Sequence, residues 1–193
     1  MNRLKRMNET ESMPQVVIVS PALRDANNGN WQTARRWQQH LSAVFPTRIV
    51  KQWPDAEAGK DRVMIALHAR RSADAIAAWC AAHPAPAAES GLAVVLTGTD
   101  LYRDIQTDPA AQRSLALAQA LVVLQECAPE SLPADLRCKN RVIFQSTAAR
   151  QTLAKAPNRL RLVMVGHLRT EKSPETLFAA ARLLAGQPAI FLD

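Results

Sequence analysis

The chain has 193 residues, of which 48% are hydrophobic and 21% are charged, a composition typical of a globular protein with one or two domains. Its 24 Lys and Arg against 17 Asp and Glu give a net charge of +7, which favours anionic partners. The basic residues are scattered, and aromatic residues make up only 5% of the chain. Nucleic-acid binding is therefore not expected, because it calls for a basic stripe interleaved with aromatic residues.

The cysteine spacing and the N-terminus exclude further classes. Cys80, Cys127 and Cys138 are odd in number and show neither metal-ligand nor redox spacing, which predicts reduced thiols. Residues 1–14 are polar, which predicts a disordered extension with no secretory signal and no membrane span. We therefore expect a cytoplasmic protein.

Apolar runs alternate with helical patterns along most of the chain. Six runs predict strands buried on both faces, at residues 16–19, 47–50, 63–67, 92–96, 120–124 and 141–145. Helices are predicted from Trp31 to Val44, from an N-cap at Ser72 to Ala82, and from Pro109 onwards. This alternation predicts an α/β fold, a Rossmann-like parallel sheet with helices on both faces.

A second α/β unit is predicted to begin near the C-terminus. Residues 152–157 are the predicted linker, after which come a strand at 160–165, a helix at 175–185 and a strand at 189–192. The predicted domains are thus 15–156 and an incomplete start of a second domain at 157–193. A full domain needs on the order of 100 residues, so we expect a C-terminally truncated chain. Its exposed apolar stub would favour self-association.

Polar residues follow several predicted strands, where ligands bind in open α/β sheets. Gly29 and Asn30 follow the first strand, where they are either a phosphate contact at a helix start or a turn with its cap. His68, Arg70 and Arg71 follow the third strand. The histidine can act as an acid or base, and the arginines can bind phosphate or form surface ion pairs.

Two further turns complete the candidate residues. Thr99 and Asp100 follow the fourth strand, where Asp100 either orients a sugar hydroxyl or a reacting group, or caps a helix. The last turn contains His167, Arg169 and Lys172. These cationic groups can neutralise the diphosphate that leaves in glycosyl transfer.

Several of these segments resemble a known family. Residues 165–172 (VGHLRTEK) are similar to the diphosphate-binding turn of retaining glycosyltransferases with two facing Rossmann-like domains, the GT-B fold. Lys172 matches the lysine of that turn, His167 stands where arginine is usual, and Arg169 can supply the missing charge. The bacterial selenosugar synthases of selenoneine biosynthesis are a closer likeness, carried by residues 29–37, 66–72, 96–105, 123–125, 145–146 and 166–169.

The resemblance implies transfer of a sugar from UDP-N-acetylglucosamine or UDP-glucose to selenophosphate, with a new carbon–selenium bond. It implies no metal and no other cofactor, because cationic side chains face the diphosphate. The residues that it places at the donor phosphates are Gly29, Asn30, His167, Arg169 and Lys172. Those that it places at the anionic acceptor are Arg70, Arg71 and Arg103, and the catalytic candidates are His68, Thr99 and Asp100.

Two alternatives stay open at this point. One is an ordinary retaining glycosyltransferase with a carbohydrate or lipid acceptor, and the other is a non-catalytic remnant or binding module. The family pattern places the uridine contacts later in the second domain than this sequence extends. The resemblance therefore implies that this chain by itself is inactive.

Overall fold

The computed structural model describes residues 13–148, 151–152, 154–165, 168 and 170–192. The chain divides into two compact units, Met1–Thr147 and Ala148–Asp193, so the division falls before the predicted boundary at residue 156. Residues 1–12 of the predicted extension lie outside the described residues. None of the helices in the described ranges is long and apolar enough to cross a membrane.

The first unit is built on a six-stranded parallel sheet, which confirms the predicted Rossmann-like α/β architecture. Its strands are β1 (Gln15–Val19), β2 (Thr47–Val50), β3 (Asp61–Leu67), β4 (Leu92–Leu96), β5 (Ala120–Val123) and β6 (Asn140–Val142). They lie in the order β2-β1-β3-β4-β5-β6. The direction of winding reverses between β1 and β3, so the carboxyl ends of these two strands form the crevice where such sheets bind ligands.

The helices of this unit pack in two layers. Alternate strand residues supply two separate cores, one around Ile18 and Ala34 of α1 (Gly29–Leu41) and the other around Val17. The second core includes α2 (Ala73–Ala82) and α4 (Pro109–Leu117), which contact each other. Burial on both faces is why the strands read as continuous apolar runs.

The structure corrects three predicted element ends. Helix α1 begins two residues earlier than predicted, because the side chain of Asn28 accepts the Asn30 and Trp31 N–H groups. Ser72 makes no cap bond, since its hydroxyl donates instead to the Leu67 carbonyl at 2.7 Å. The sixth strand stops at Val142 rather than at residue 145.

The segment after β4 contains helical turns that the sequence analysis did not predict. A π-helical turn, Asp100–Asp104, follows β4 and leads into the short helix α3 (Ile105–Thr107). A π turn has no apolar periodicity of its own, and such turns are frequent at functional sites. Its contacts are described with the candidate site below.

A buried ion-pair network holds the β2–β3 connection against the sheet. The Asp61 side chain has no solvent exposure and accepts hydrogen bonds from Arg48 Nη2 at 2.6 Å and Trp53 Nε1 at 2.9 Å. Arg48 also pairs with Asp55 at 2.6 Å, and this hydrogen bond lowers the pKa of the Asp55 carboxyl. A charge-assisted network of this kind orders the polar segment that it ties down.

The second unit consists of β7 (Leu160–Leu162), α5 (Pro174–Leu183) and β8 (Ile190–Leu192). The two strands pair in parallel, with Leu160 opposite Ile190, as expected for a β-α-β unit. Strand β7 is shorter than the predicted strand at 160–165. Several large apolar side chains of this unit are exposed, among them Val163, Val165, Leu168, Phe178 and Leu183.

We expect Asp61→Ala to lower the free energy of unfolding by about 3 kcal/mol, because it leaves the mostly buried Arg48 without its buried partner. Urea denaturation monitored by circular dichroism measures this change. Glu57→Gln is the matched control, since its pair with Lys60 is exposed and 3.6 Å long, and it should leave the midpoint unchanged. Equal midpoints for the two variants would contradict the structural role of Asp61.

Candidate functional site

The candidate residues of the first unit lie beyond the carboxyl ends of β1, β3 and β4. His68 directly follows β3, and residues 97–100 directly follow β4, its hydrogen-bonded neighbour. Because the strands are parallel and adjacent, both turns emerge at the same edge of the sheet. The structure therefore brings His68 and Asp100 together.

Asp100 links these two turns through its carboxylate. Its side chain has no solvent exposure, and Oδ1 accepts the Thr97 and Gly98 N–H groups at 2.9 and 3.0 Å. Oδ2 accepts the N–H of Ala69, in the turn after β3, at 2.9 Å. Gly98 has a φ of +131°, a conformation that favours glycine, and so lets the chain fold back over this carboxylate. The structure thus gives Asp100 a positioning role, and its catalytic role stays a prediction.

His68 lies beside this carboxylate in an unusual backbone conformation. Its φ is +72°, and the side chain is 5% exposed. Nδ1 accepts the Arg71 N–H at 3.4 Å, which leaves the proton of the neutral ring on Nε2. Nδ1 lies 4.0 Å from Asp100 Oδ2, and Nε2 lies 4.0 Å from Asp104 Oδ2. A neutral imidazole with an N–H on Nε2 can donate a hydrogen bond to a ligand.

The protonation of His68 follows from its surroundings. Burial lowers the pKa of the imidazole from its ordinary value of 6.5, and the charges of Arg71 and Arg70 lower it further. The carboxylates of Asp100 and Asp104 oppose this shift, but the net direction is downward. His68 is therefore neutral near pH 7.

Asp104 organises two of the predicted acceptor-binding arginines. Its Oδ2 accepts from Arg70 Nε at 2.9 Å, and its Oδ1 accepts from Arg103 Nε at 3.0 Å. Burial raises the pKa of the Asp104 carboxyl, but the two arginine hydrogen bonds outweigh this, and the net shift is downward. The ionised carboxylate therefore holds two partly exposed guanidinium groups close together.

Sequence reasoning did not single out Asp104. The sequence feature that could have identified Asp104 is its position in a polar segment, four residues after Asp100. The π-helical turn brings both carboxylates to the histidine, within 4.0 Å of its two ring nitrogens. Thr99, the third catalytic candidate, precedes this turn and is half-buried.

Arg71 is placed apart from the other two arginines. Its exposed side chain lines a cavity of about 480 Å³ between the start of α2 and the segment after β2. Other residues that line this cavity are Pro21, Lys51, Gln52, Trp53 and Asp74. The three predicted acceptor-binding arginines thus belong to two neighbouring sites.

Gly29 and Asn30 stand at the N-terminus of α1. The Asn28 side chain already accepts the Asn30 N–H at 3.1 Å, so for Asn30 the structure shows the turn-and-cap arrangement. The left-handed residue of this loop is Asn27, with a φ of +40°, and not Gly29, which corrects the expected glycine turn. Phosphate contact at Gly29 and Asn30 stays a prediction.

The predicted donor-side residues belong to the second unit. Lys172 is exposed and ends a short 3₁₀ turn, Thr170–Lys172, just before α5. Gly166, His167 and Arg169 lie outside the described residues. Their predicted contacts with a diphosphate remain predictions.

The fold and the site define an α/β protein with a Rossmann-like parallel sheet and a charged cluster at its carboxyl edge. No protein-family model matches the chain, and no curated protein matches it. Across the described ranges, no group of three or more His, Cys, Asp or Glu side chains is placed to hold a metal ion.

We expect the free energy of unfolding to fall as the pH is lowered from 6.5, because the unfolded chain then binds a proton that buried His68 resists. His68→Asn should flatten this dependence between pH 5 and 6.5, and asparagine tolerates a positive φ. Urea midpoints measured across this range provide the check. The control His40→Asn, at an exposed histidine, should retain the slope. An unchanged slope in His68→Asn would refute this assignment.

Asp100→Asn should lower the free energy of unfolding by about 1–3 kcal/mol, because an amide NH₂ replaces one of the two oxygens that accept buried N–H groups. Hydrogen exchange of the Ala69, Thr97 and Gly98 amides should accelerate at the same time. Asp25→Asn, at an exposed carboxylate, is the matched control and should change neither quantity. Unchanged protection of all three amides in Asp100→Asn would contradict the linking role.

Proposed function

We propose that the chain is part of a GT-B glycosyltransferase-like enzyme of the selenosugar synthase type. In this proposal the sugar of UDP-N-acetylglucosamine or UDP-glucose is transferred to selenophosphate. The parallel α/β unit, the second β-α-β unit and the resemblance of residues 165–172 support it. The first unit would bind the acceptor, and the second would begin the donor-binding domain.

The observation that carries the proposal is the cationic carboxyl edge of the sheet. Arg70, Arg71 and Arg103 are all placed beyond the end of β3 or β4. The carboxylates near them are Asp74, Asp100, Asp104 and Asp108. The Asp100 carboxylate is wholly engaged by backbone N–H groups. Asp100 and Asp104 are buried, so three arginines face only the carboxylates of Asp74 and Asp108 in the part of this edge that a solute can reach, which suits a small anionic acceptor.

The chemistry requires an exchange of bonds at the anomeric carbon. A selenium lone pair attacks this carbon and forms the carbon–selenium bond. The bond from the carbon to the diphosphate oxygen breaks, and UDP leaves with the electron pair. Lys172, with His167 and Arg169, would neutralise the charge that grows on the diphosphate. The His68 Nε2–H would donate a hydrogen bond at the acceptor side.

One observation favours a carbohydrate acceptor instead. The Tyr102 side chain is exposed, and its hydroxyl accepts a hydrogen bond from Gln125 Nε2 at 2.8 Å, in the loop after β5. An exposed ring beside a fixed amide offers both an apolar face and hydrogen-bond partners. An ordinary retaining glycosyltransferase is therefore the second candidate.

Since this chain by itself is expected to be inactive, the test uses the chain continued into a complete donor-binding domain. That protein is incubated with each UDP-sugar and either selenophosphate or simple sugars, and UDP release and product mass are followed. We expect a selenium-containing sugar product only with selenophosphate. Lys172→Ala should lower kcat/KM for the UDP-sugar about tenfold or more, since it removes a cation from the leaving group. Arg182→Ala, an exposed cation in the last turn of α5, is the control and should leave kcat/KM unchanged.

The outcomes separate the two candidates. Transfer to simple sugars alone would favour the ordinary glycosyltransferase. Absence of UDP release with every donor and acceptor would overturn both. Equal effects of Lys172→Ala and Arg182→Ala would remove Lys172 from the donor site.

A further inference from the structure

The cavity beside Arg71 lies at the winding reversal of the sheet but outside the cluster around Asp104. It is bounded by Pro21 after β1, by the segment after β2 and by the first residues of α2. Its volume of about 480 Å³ falls within the range of about 300–1,000 Å³ that is typical of small-molecule sites. Its position is the crevice where doubly wound sheets bind ligands.

The cavity has two cationic side chains that make no ion pair. In the part of the chain that the structure describes, neither the Lys51 ammonium nor the Arg71 guanidinium has a hydrogen bond or salt-bridge partner. Arg70 and Arg103, by contrast, already donate to Asp104. An arriving anion can therefore bind Lys51 and Arg71 without breaking an existing pair.

The wall that presents Lys51 is held in place by buried contacts. Trp53, two residues after Lys51, is 6% exposed and donates to Asp61, and its ring packs 5.1 Å from that of Trp79 of α2. Lys51 therefore extends from an anchored segment rather than from a free loop. Arg71 is anchored in turn by its backbone N–H, which donates to His68 Nδ1.

One carboxylate moderates the charge of this cavity. Asp74, in the first turn of α2, also lines it, so the charged side chains there sum to one positive charge. The Gln52 side chain can donate further hydrogen bonds. This balance suits a small oxyanion better than a polyanion, which Asp74 would repel.

We propose that this cavity binds a small phosphate-type oxyanion, with Lys51 and Arg71 as its cationic contacts and Gln52 as a further donor. The binding itself does not depend on the proposed function. Only the identification of this oxyanion with the transferase acceptor rests on that function. Arg70 and Arg103 would then flank the bound anion rather than hold it.

The test is a titration of the full chain with inorganic phosphate. Isothermal titration calorimetry and amide chemical shifts measure the binding. We expect Lys51→Ala and Arg71→Ala each to weaken phosphate binding about tenfold, because each removes a charge-assisted contact. Asp74→Asn should strengthen it, since it removes a repelling charge. Arg113→Ala, an exposed cation on α4, should have no effect.

Further titrations distinguish the sources of the oxyanion. The affinities of selenophosphate and glucose 1-phosphate are measured in the same way. Glucose, which carries no oxyanion, is the control and should not bind to this cavity. Lys51 and Arg71 are exposed, so their variants should fold, and unchanged urea midpoints verify this. Phosphate binding that is equal in wild type, Lys51→Ala and Arg71→Ala would overturn the inference. Phosphate binding that depends on both residues, without any UDP release, would support the site and overturn the proposed function alone.

Discussion

The candidate site is held together by the hydrogen bonds that the Asp100 carboxylate accepts. It accepts three backbone N–H groups, two from the turn after β4 and one from the turn after β3. A buried carboxylate is costly unless its oxygens are satisfied, and here the partners are groups that would otherwise lack acceptors. The ends of two central strands are thereby joined, and the side chains that follow them take fixed positions. His68 keeps its positive φ within this arrangement.

The charged side chains around Asp100 differ in whether they have a partner of opposite charge. Asp104 neutralises part of the charge of Arg70 and Arg103, and it keeps both guanidinium groups at one place. His68 remains neutral because burial outweighs the attraction of the two carboxylates. Arg71 and Lys51 line the neighbouring cavity and make no ion pair with any described residue. The oxyanion that we propose would bind these two cations, because neither has to break an ion pair with any described residue first.

Local sequence patterns and long-range contacts determine different features of this fold. The positions of the buried strands were predictable because both faces of each are covered, which leaves continuous apolar runs such as residues 16–19. The presence of His68, Arg70 and Asp100 at strand ends was predictable for the same reason. The hydrogen-bond partners of these side chains were not predictable, because they are distant in the sequence. Asp100 accepts the N–H of a residue 31 positions away, and Thr33 is hydrogen-bonded to Gln145 across 112 positions. The role of Asp104 was not predictable because two of its three neighbours in the site, Arg70 and His68, are more than 30 positions away.

The α/β architecture, the cationic character and the polar turns after the strands can be inferred from the amino-acid sequence, because periodicity and composition act locally along the chain. The folded chain adds three findings: Asp100 is a link, Ser72 donates to Leu67 instead of capping α2, and Arg71 lies in a different site from Arg70. Each of these depends on which hydrogen-bond partners meet when the sheet is assembled. A side chain's partners are selected by the order of the strands, and that order is a property of the whole fold.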